Sequence, residues 1–162
     1  MSQKKLYNQE INCNAIKLKK GFFVIFFKNK KITKTMFSNK NFKNIGETTS
    51  NLHKFIEYFS GKRKKIKINV DINNYSDFEK KVWDATKKIP YGKTVSYSQL
   101  AEKIGNKTLA RAVGKALGKN PFPVIIPCHR VIGKNGKLTG FSSGLKWKKM
   151  LLELEREGKK MI

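Results

Sequence analysis

The sequence predicts an α+β fold in two parts, with a small antiparallel sheet and one helix in residues 1–73 and a mainly helical part in residues 74–162. Three observations support this prediction. Short apolar runs separated by turn residues fill residues 13–37, which is typical of neighbouring strands. Apolar residues then recur at helical spacing in residues 50–60. After residues 73–75, helix-capping residues and helical spacing recur to the end of the chain.

In the first part, residues 13–18, 22–27 and 31–37 are predicted to be strands. The predicted helix of residues 50–60 is followed by a glycine and a basic stretch. Residues 66–70 alternate between apolar and polar side chains, which favours an edge strand. We identify no catalytic group of residues here, and His53 is expected on the solvated side of the helix.

In the second part, Ser76 and Glu79 form a capping-box pattern that predicts a helix ending before residue 90. Two short predicted helices follow in residues 97–104 and 108–117, joined by a few residues that include glycine, and this is the helix-turn-helix arrangement. The second of these helices carries mostly small residues, which suits close approach to a shallow groove as well as ordinary packing. A last helix is predicted for residues 145–157.

The net charge is +25, from 36 basic and 11 acidic residues spread along the chain. Such a surface attracts polyanions, with DNA or RNA favoured over anionic membrane. Genomic base bias or heat adaptation also produces lysine-rich chains, so charge alone does not decide. The longest apolar run, residues 22–27, is too short to span a bilayer, and the first residues do not resemble a signal peptide. We therefore expect a soluble, cytoplasmic protein.

Cys128 lies between a proline and the basic pair His129-Arg130. A thiol is nucleophilic as its thiolate, which neighbouring positive charge favours, so this segment predicts a reactive cysteine. The alternative is that Cys128 only fills space in the core, as free cysteines often do. A disulfide with Cys13 stays open from the sequence, although it would quench the reactive site.

An ordered series of motifs in residues 78–155 resembles the O6-alkylguanine-DNA alkyltransferases, the methylated-DNA–protein-cysteine methyltransferases. The motifs are Phe78 to Trp83, Tyr91-Gly92-Lys93, Val95-Ser96-Tyr97, Gln99-Leu100-Ala101, Ala110-Arg111-Ala112-Val113-Gly114, Asn120-Pro121, Ile126-Pro127-Cys128-His129-Arg130-Val131, Leu138-Thr139-Gly140 and the helix ending in Leu151-Leu152 and Glu155. The resemblance implies a ribonuclease H-like first part and a winged-helix-like second part. It further implies a monomer that binds double-stranded DNA in the minor groove and flips out an O6-alkylguanine. Its alkyl group passes irreversibly to Cys128 with no cofactor and no metal, and O4-alkylthymine stays open as a second substrate.

The resemblance also implies residue roles. Cys128 is the nucleophile, His129 its general base through a water, and Glu155 orients the histidine. Tyr97 donates to the guanine and Asn120 braces the cysteine segment. The residues expected to contact DNA lie in the helix-turn-helix and in the cysteine motif: Tyr97, Thr108, Arg111, Ala112, Lys115 and Arg130. Of these, Arg111 is expected to fill the space that the flipped base leaves in the stack. The expected substrate pocket comprises Trp83, Val131, Phe141, Ser142 and Lys148.

One position departs from the family pattern, since Ser143 adds bulk beside the pocket where glycine is common. This bears on the alkyl groups that are accepted. Two other functions fit part of the sequence: a DNA-binding module without chemistry, and a cysteine hydrolase using Cys128, His129 and Glu155. The cysteine argues against the first, and the helix-turn-helix has no role in the second. No pair among the cysteines and histidines has the spacing of a zinc knuckle.

Overall fold

The structure is a computed structural model that describes residues 11–162. It opens with an antiparallel three-stranded sheet in the order β1 (Asn12–Leu18), β2 (Gly21–Lys28), β3 (Lys31–Ser38). All three strands predicted from the sequence are confirmed. The central strand β2 is buried on both faces because its apolar run has no polar alternation. Its two faces therefore belong to two apolar clusters, one on each side of the sheet.

Helix α1 (Leu52–Phe59) packs on one face of the sheet, where Phe55 and Phe59 contact the ring of Phe23. It ends as expected, with Gly61 at a φ of +77° that favours glycine. His53 is exposed, in agreement with the sequence.

The edge strand expected at residues 66–70 is wrong, because these residues pair with no strand among residues 11–162. Their burial does alternate, and Ile66, Ile68 and Val70 pack against the main core. Alternation reports which side chains face the core, but a strand also needs a neighbouring backbone, which the sequence pattern does not specify.

Helix α2 (Asp77–Lys87) begins with the predicted capping box, in which the side chains of Ser76 and Glu79 each accept from the other's backbone N–H. Helix α3 (Tyr97–Lys103) begins with a second one, formed by Ser96 and Gln99. A 3₁₀ turn (Lys107–Leu109) then leads into α4 (Ala110–Gly118). Helices α3 and α4 pack on each other and on α2, so the predicted helix-turn-helix is confirmed.

The chain then passes through an irregular segment to a 3₁₀ turn (Cys128–Arg130) and strand β5 (Val131–Ile132), which pairs in parallel with β4 (Val95–Ser96). A short 3₁₀ turn (Lys134–Gly136) and a loop precede α5 (Leu145–Glu157), the predicted last helix. In residues 11–162, no helix has both the length and the apolar character needed to cross a membrane.

The main core is continuous between the sheet and the helical part. Two buried hydrogen bonds join them directly: Thr35 donates its backbone N–H to Pro121 O (3.0 Å) and its hydroxyl to Pro123 O (2.9 Å). The sheet thus holds the segment that leads to Cys128. The fold is the predicted mixture of a small antiparallel sheet and helices, while a boundary at residue 73 stays a prediction.

Candidate active site

Cys128 opens a single 3₁₀ turn and is buried, with 7% of its surface exposed. Its Sγ lies 3.2 Å from Nδ2 of Asn120, which donates a second hydrogen bond to Ile126 O at 2.9 Å. The Asn120 Oδ1 accepts from the backbone N–H of Phe122 (2.8 Å). Asn120 therefore connects the end of α4 to the cysteine turn, which is the bracing contact expected of it.

The electrostatic environment of Cys128 corrects the expectation of an ionised sulfur. Burial raises the pKa of the Cys128 thiol, and the Asn120 hydrogen bond and the positive charge of Lys148 offset this only in part. The adjacent basic side chains bring little positive charge to the sulfur, since Arg130 is paired with Glu155 and burial lowers the pKa of His129. The resting thiol is protonated at neutral pH, so a base is needed to make it nucleophilic.

His129 is fully buried beside the cysteine, and its Nε2 lies 2.8 Å from Oε1 of Glu155. An ionised carboxylate only accepts, so Nε2 carries the hydrogen and Nδ1 is the acceptor. That Nδ1 is buried and has no hydrogen-bond partner among the described residues. Burial lowers the pKa of His129 against the opposing effect of Glu155, so the imidazole is neutral and able to accept a proton.

Glu155 is held on the last helix with its side chain fully enclosed. Burial alone would raise the pKa of this carboxyl, but the hydrogen bonds and charges of His129 and Arg130 hold it well below its usual range. Two further donors complete the carboxylate's surroundings: the Tyr58 hydroxyl at 2.5 Å and the Gly92 backbone N–H at 3.0 Å. Glu155 is therefore a permanent charge that fixes the histidine ring.

The structure overturns the expected DNA contact of Arg130. Its guanidinium is buried and spans from Glu155 (Nε to Oε2 3.0 Å, Nη2 to Oε1 2.9 Å) to the carbonyl of Ile89 (2.7 Å). A guanidinium with all three nitrogens engaged inside the protein is not available to a phosphate. Arg130 instead balances the charge of Glu155.

A pocket of about 270 Å³ opens onto the sulfur. Its walls come from the helix-turn-helix and from the loop before α5: Tyr97, Gly114, Leu117, Gly118, Cys128, Gly140, Phe141 and Ser142. Phe141 and Ser142 thus lie where the sequence places them. Trp83 does not, because it is fully buried against α4, where its indole N–H donates to Ala116 O at 2.9 Å.

Lys148 and Val131, which were also expected in the pocket, do not line it, but Lys148 is hydrogen-bonded to the loop that does. Both are fully buried, and the Lys148 ammonium donates to the carbonyls of Val131 (2.6 Å), Thr139 (2.8 Å) and Gly140 (3.2 Å). Burial lowers the pKa of Lys148 to about 8. The Tyr97 hydroxyl donates to the same Thr139 carbonyl at 2.8 Å. Lys148 therefore fixes the pocket loop around the hydroxyl of Tyr97.

The surface next to the pocket is the exposed face of α4 and the turn before it. Thr108, Arg111 and Lys115 are exposed there and Ala112 is half-buried, while Val113, Ala116 and Leu117 point into the core. Since α4 also lines the pocket, its outer face and the cysteine share one edge of the molecule.

Tyr58 is a site residue that sequence reasoning missed. It lies on α1 and is 1% exposed. At its position in the sequence it looks like any core tyrosine, and only the general tendency of buried tyrosines to find a hydroxyl partner could have pointed to it. Cys13 and Cys128 are both free thiols. Across residues 11–162, no three His, Cys, Asp or Glu side chains are grouped so as to hold a metal ion.

The fold and site define a helix-turn-helix protein with a buried cysteine, histidine and glutamate behind its second helix. Residues 77–157 match the family model of the 6-O-methylguanine DNA methyltransferase DNA-binding domain. A methylated-DNA–protein-cysteine methyltransferase of Methanosarcina mazei is 42% identical over 140 residues, which is 85% of this chain and 85% of that protein. The chain therefore belongs to the 6-O-methylguanine DNA methyltransferase family.

A second relative of the same name, from Methanosarcina acetivorans, is 50% identical over 98 residues, 60% of this chain and 62% of its own length. The aligned stretch thus spans about three fifths of that relative. Among solved structures, Mycobacterium tuberculosis OGT in complex with DNA superimposes with a TM-score of 0.80 at 33% identity, covering 92% of this chain and 95% of that one.

Proposed function

We propose that this protein repairs alkylated DNA directly, by moving an alkyl group from O6 of guanine to Cys128. The observation that carries the proposal is the position of the sulfur, which lines a pocket beside α4 and has a neutral histidine next to it. Membership of the family supports the same reaction, since the relatives are named methylated-DNA–protein-cysteine methyltransferases.

The first chemical step is deprotonation of the thiol. Within residues 11–162, His129 Nδ1 is a buried acceptor without a partner, and a water bridging it to Sγ satisfies both groups. The proton passes through that water to Nδ1, and the negative charge of Glu155 stabilises the resulting imidazolium. Because burial raises the thiol pKa, this transfer is coupled to attack rather than complete beforehand.

In the second step the S–C bond forms as the C–O6 bond breaks, and the electron pair of that bond goes to the guanine. The guanine then takes up one proton to become neutral, which balances the proton that the thiol gave to His129. Tyr97 is the pocket donor that stabilises the departing base. Its hydroxyl turns from the Thr139 carbonyl to the guanine, and Lys148 keeps that carbonyl satisfied meanwhile. The product is a stable thioether at Cys128, so each molecule reacts once. Asn120 holds the sulfur in line throughout.

The DNA is proposed to lie on the exposed face of α4, in the minor groove, with the target base flipped into the pocket. Exposed Arg111 takes the place of the flipped base in the stack, while Thr108 and Lys115 contact the backbone and half-buried Ala112 permits close approach. The protein acts as a single chain in the cytoplasm on this proposal.

The test is incubation with duplex DNA carrying one O6-methylguanine, followed by intact mass measurement. We expect the wild type to gain one methyl group and Cys128→Ala to gain none. A wild type that binds the DNA but gains no mass supports a binding module instead. Repeated turnover of an ester at Cys128 would favour a hydrolase.

A further inference from the structure

Helix α1 reaches the reaction site through the side chain of Tyr58. Tyr58, on α1, is separated from the acceptor segment by some seventy positions in sequence, yet its hydroxyl lies 2.5 Å from Glu155 Oε1 and 3.4 Å from His129 Nε2. Its ring packs edge-on against Phe59 and Tyr91, so its orientation is fixed by the surrounding core. The hydroxyl is thus held against the carboxylate by packing as well as by its hydrogen bond.

The hydrogen bonds of Glu155 show what this hydroxyl does. Oε1 has four donor atoms within reach, from Tyr58, His129 (2.8 Å) and Arg130 (Nη2 2.9 Å and Nε 3.2 Å), while Oε2 has the Arg130 Nε and the Gly92 N–H. A carboxylate oxygen offers about two lone-pair sites, so the donors at Oε1 compete. The Tyr58 hydroxyl therefore donates to the same carboxylate oxygen, Oε1, that polarises the His129 ring.

This competition bears on the strength of the base. Three groups face His129: Glu155 on α5, Arg130 in the same 3₁₀ turn and Tyr58 on α1. The charge of Lys148 also acts on His129. The negative charge of Glu155 favours the imidazolium, whereas burial and the two cations oppose it. A neutral donor that withdraws charge from Oε1 shifts this balance towards the neutral imidazole, the form that can accept a proton.

We propose that Tyr58 is a positioning residue that limits the charge of Glu155 available to His129 and so keeps the general base unprotonated. The N-terminal part of the chain is then part of the reaction site, in addition to its role in packing. The inference deepens the proposed alkyl transfer and rests on it for its effect on rate. Its effect on the histidine itself does not depend on the reaction.

The chain has two histidines, so their ring protons can be followed individually by NMR as pH is varied. In Tyr58→Phe, which keeps the ring and removes the hydroxyl, we expect the titration of His129 to move to higher pH. Thr35→Val is the matched control, because it also removes a buried hydrogen bond between the two parts of the chain, but one in which neither Glu155 nor His129 takes part. It should leave the titration of His129 unchanged. An unshifted or downward-shifted His129 in Tyr58→Phe overturns the inference.

The rate of methyl transfer gives the second readout. Tyr58→Phe should lose about threefold in rate near pH 6 and regain the wild-type rate near pH 9, because a more basic His129 is protonated over more of the acid range. Thr35→Val should change the rate by the same factor at every pH. A uniform loss in Tyr58→Phe contradicts the inference. If the wild type itself transfers no methyl, the proposed function fails, while the NMR titration still decides the role of Tyr58.

Discussion

Replacing Glu155 with glutamine tests the charge at the centre of the site. The carboxylate is fully enclosed, holds Arg130 with three hydrogen bonds and holds His129 at 2.8 Å. Glutamine keeps the shape but removes the charge and presents an N–H₂ group to donors. Breaking a buried pair in this way costs about 3–5 kcal/mol, since the arginine is left uncompensated. We expect the lower end, about 3 kcal/mol, because 10% of the Arg130 side chain stays accessible to water.

The assay is urea denaturation at neutral pH, with Glu153→Gln as the control on the same helix. Glu153 has 29% of its side chain exposed, with Lys149 and Lys159 at 4.0 and 3.9 Å, so its loss should cost between about 0 and 1 kcal/mol. If Glu155→Gln is as stable as Glu153→Gln, Glu155 does not stabilise the site through its buried charge.

The difference in the free energy of unfolding between wild type and Glu155→Gln also depends on pH, in a defined direction. The folded state lowers the pKa of Glu155, so the unfolded chain binds its proton first as the solution is acidified. The stabilisation is therefore fully present above the unfolded pKa of about 4.3 and is lost as pH falls below it. The two proteins should approach equal stability in acid, and methyl transfer by Glu155→Gln at neutral pH should be slower by about 100-fold or more.

Three further outcomes are expected. Asn120→Ala removes the hydrogen bond that favours the thiolate, so the rate of transfer at neutral pH should fall about tenfold and recover in part at high pH; a pH-independent loss would argue against this reason. Arg111→Ala should slow repair of duplex DNA about tenfold or more while leaving reaction with the free O6-alkylated base unchanged, and equal losses on both would remove its role in the base stack. With about four phosphate contacts, the logarithm of the binding constant should fall with the logarithm of salt with a slope of roughly −3.6, measured by fluorescence anisotropy; a slope near zero would contradict docking through α4.

Local signals in the sequence were sufficient for most of the elements. The capping boxes at Ser76 and Ser96 and the apolar run of β2 act over a few residues, so they can be identified without knowledge of the fold. The expectation for residues 66–70 failed because pairing depends on a backbone distant in sequence.

The site was harder to predict than the fold wherever the direction of a side chain mattered. Arg130 and Cys128 are two residues apart in sequence. The turn directs the Arg130 side chain towards Glu155, whereas Cys128 lines the pocket. The resemblance implied that Trp83 lines the pocket, but tertiary packing places it in the core. Tyr58 was missed because its partner lies nearly a hundred residues away in sequence.

The most direct test of alkyl transfer to Cys128 is a titration with excess O6-methylguanine duplex, followed by peptide mapping. Cys13 serves as the internal comparison, since it is fully buried and burial raises its pKa to about 11. We predict that the methyl content stops at one per chain, all of it on the peptide containing Cys128. Methylation that continues beyond one equivalent, falls on Cys13, or never occurs would contradict the account.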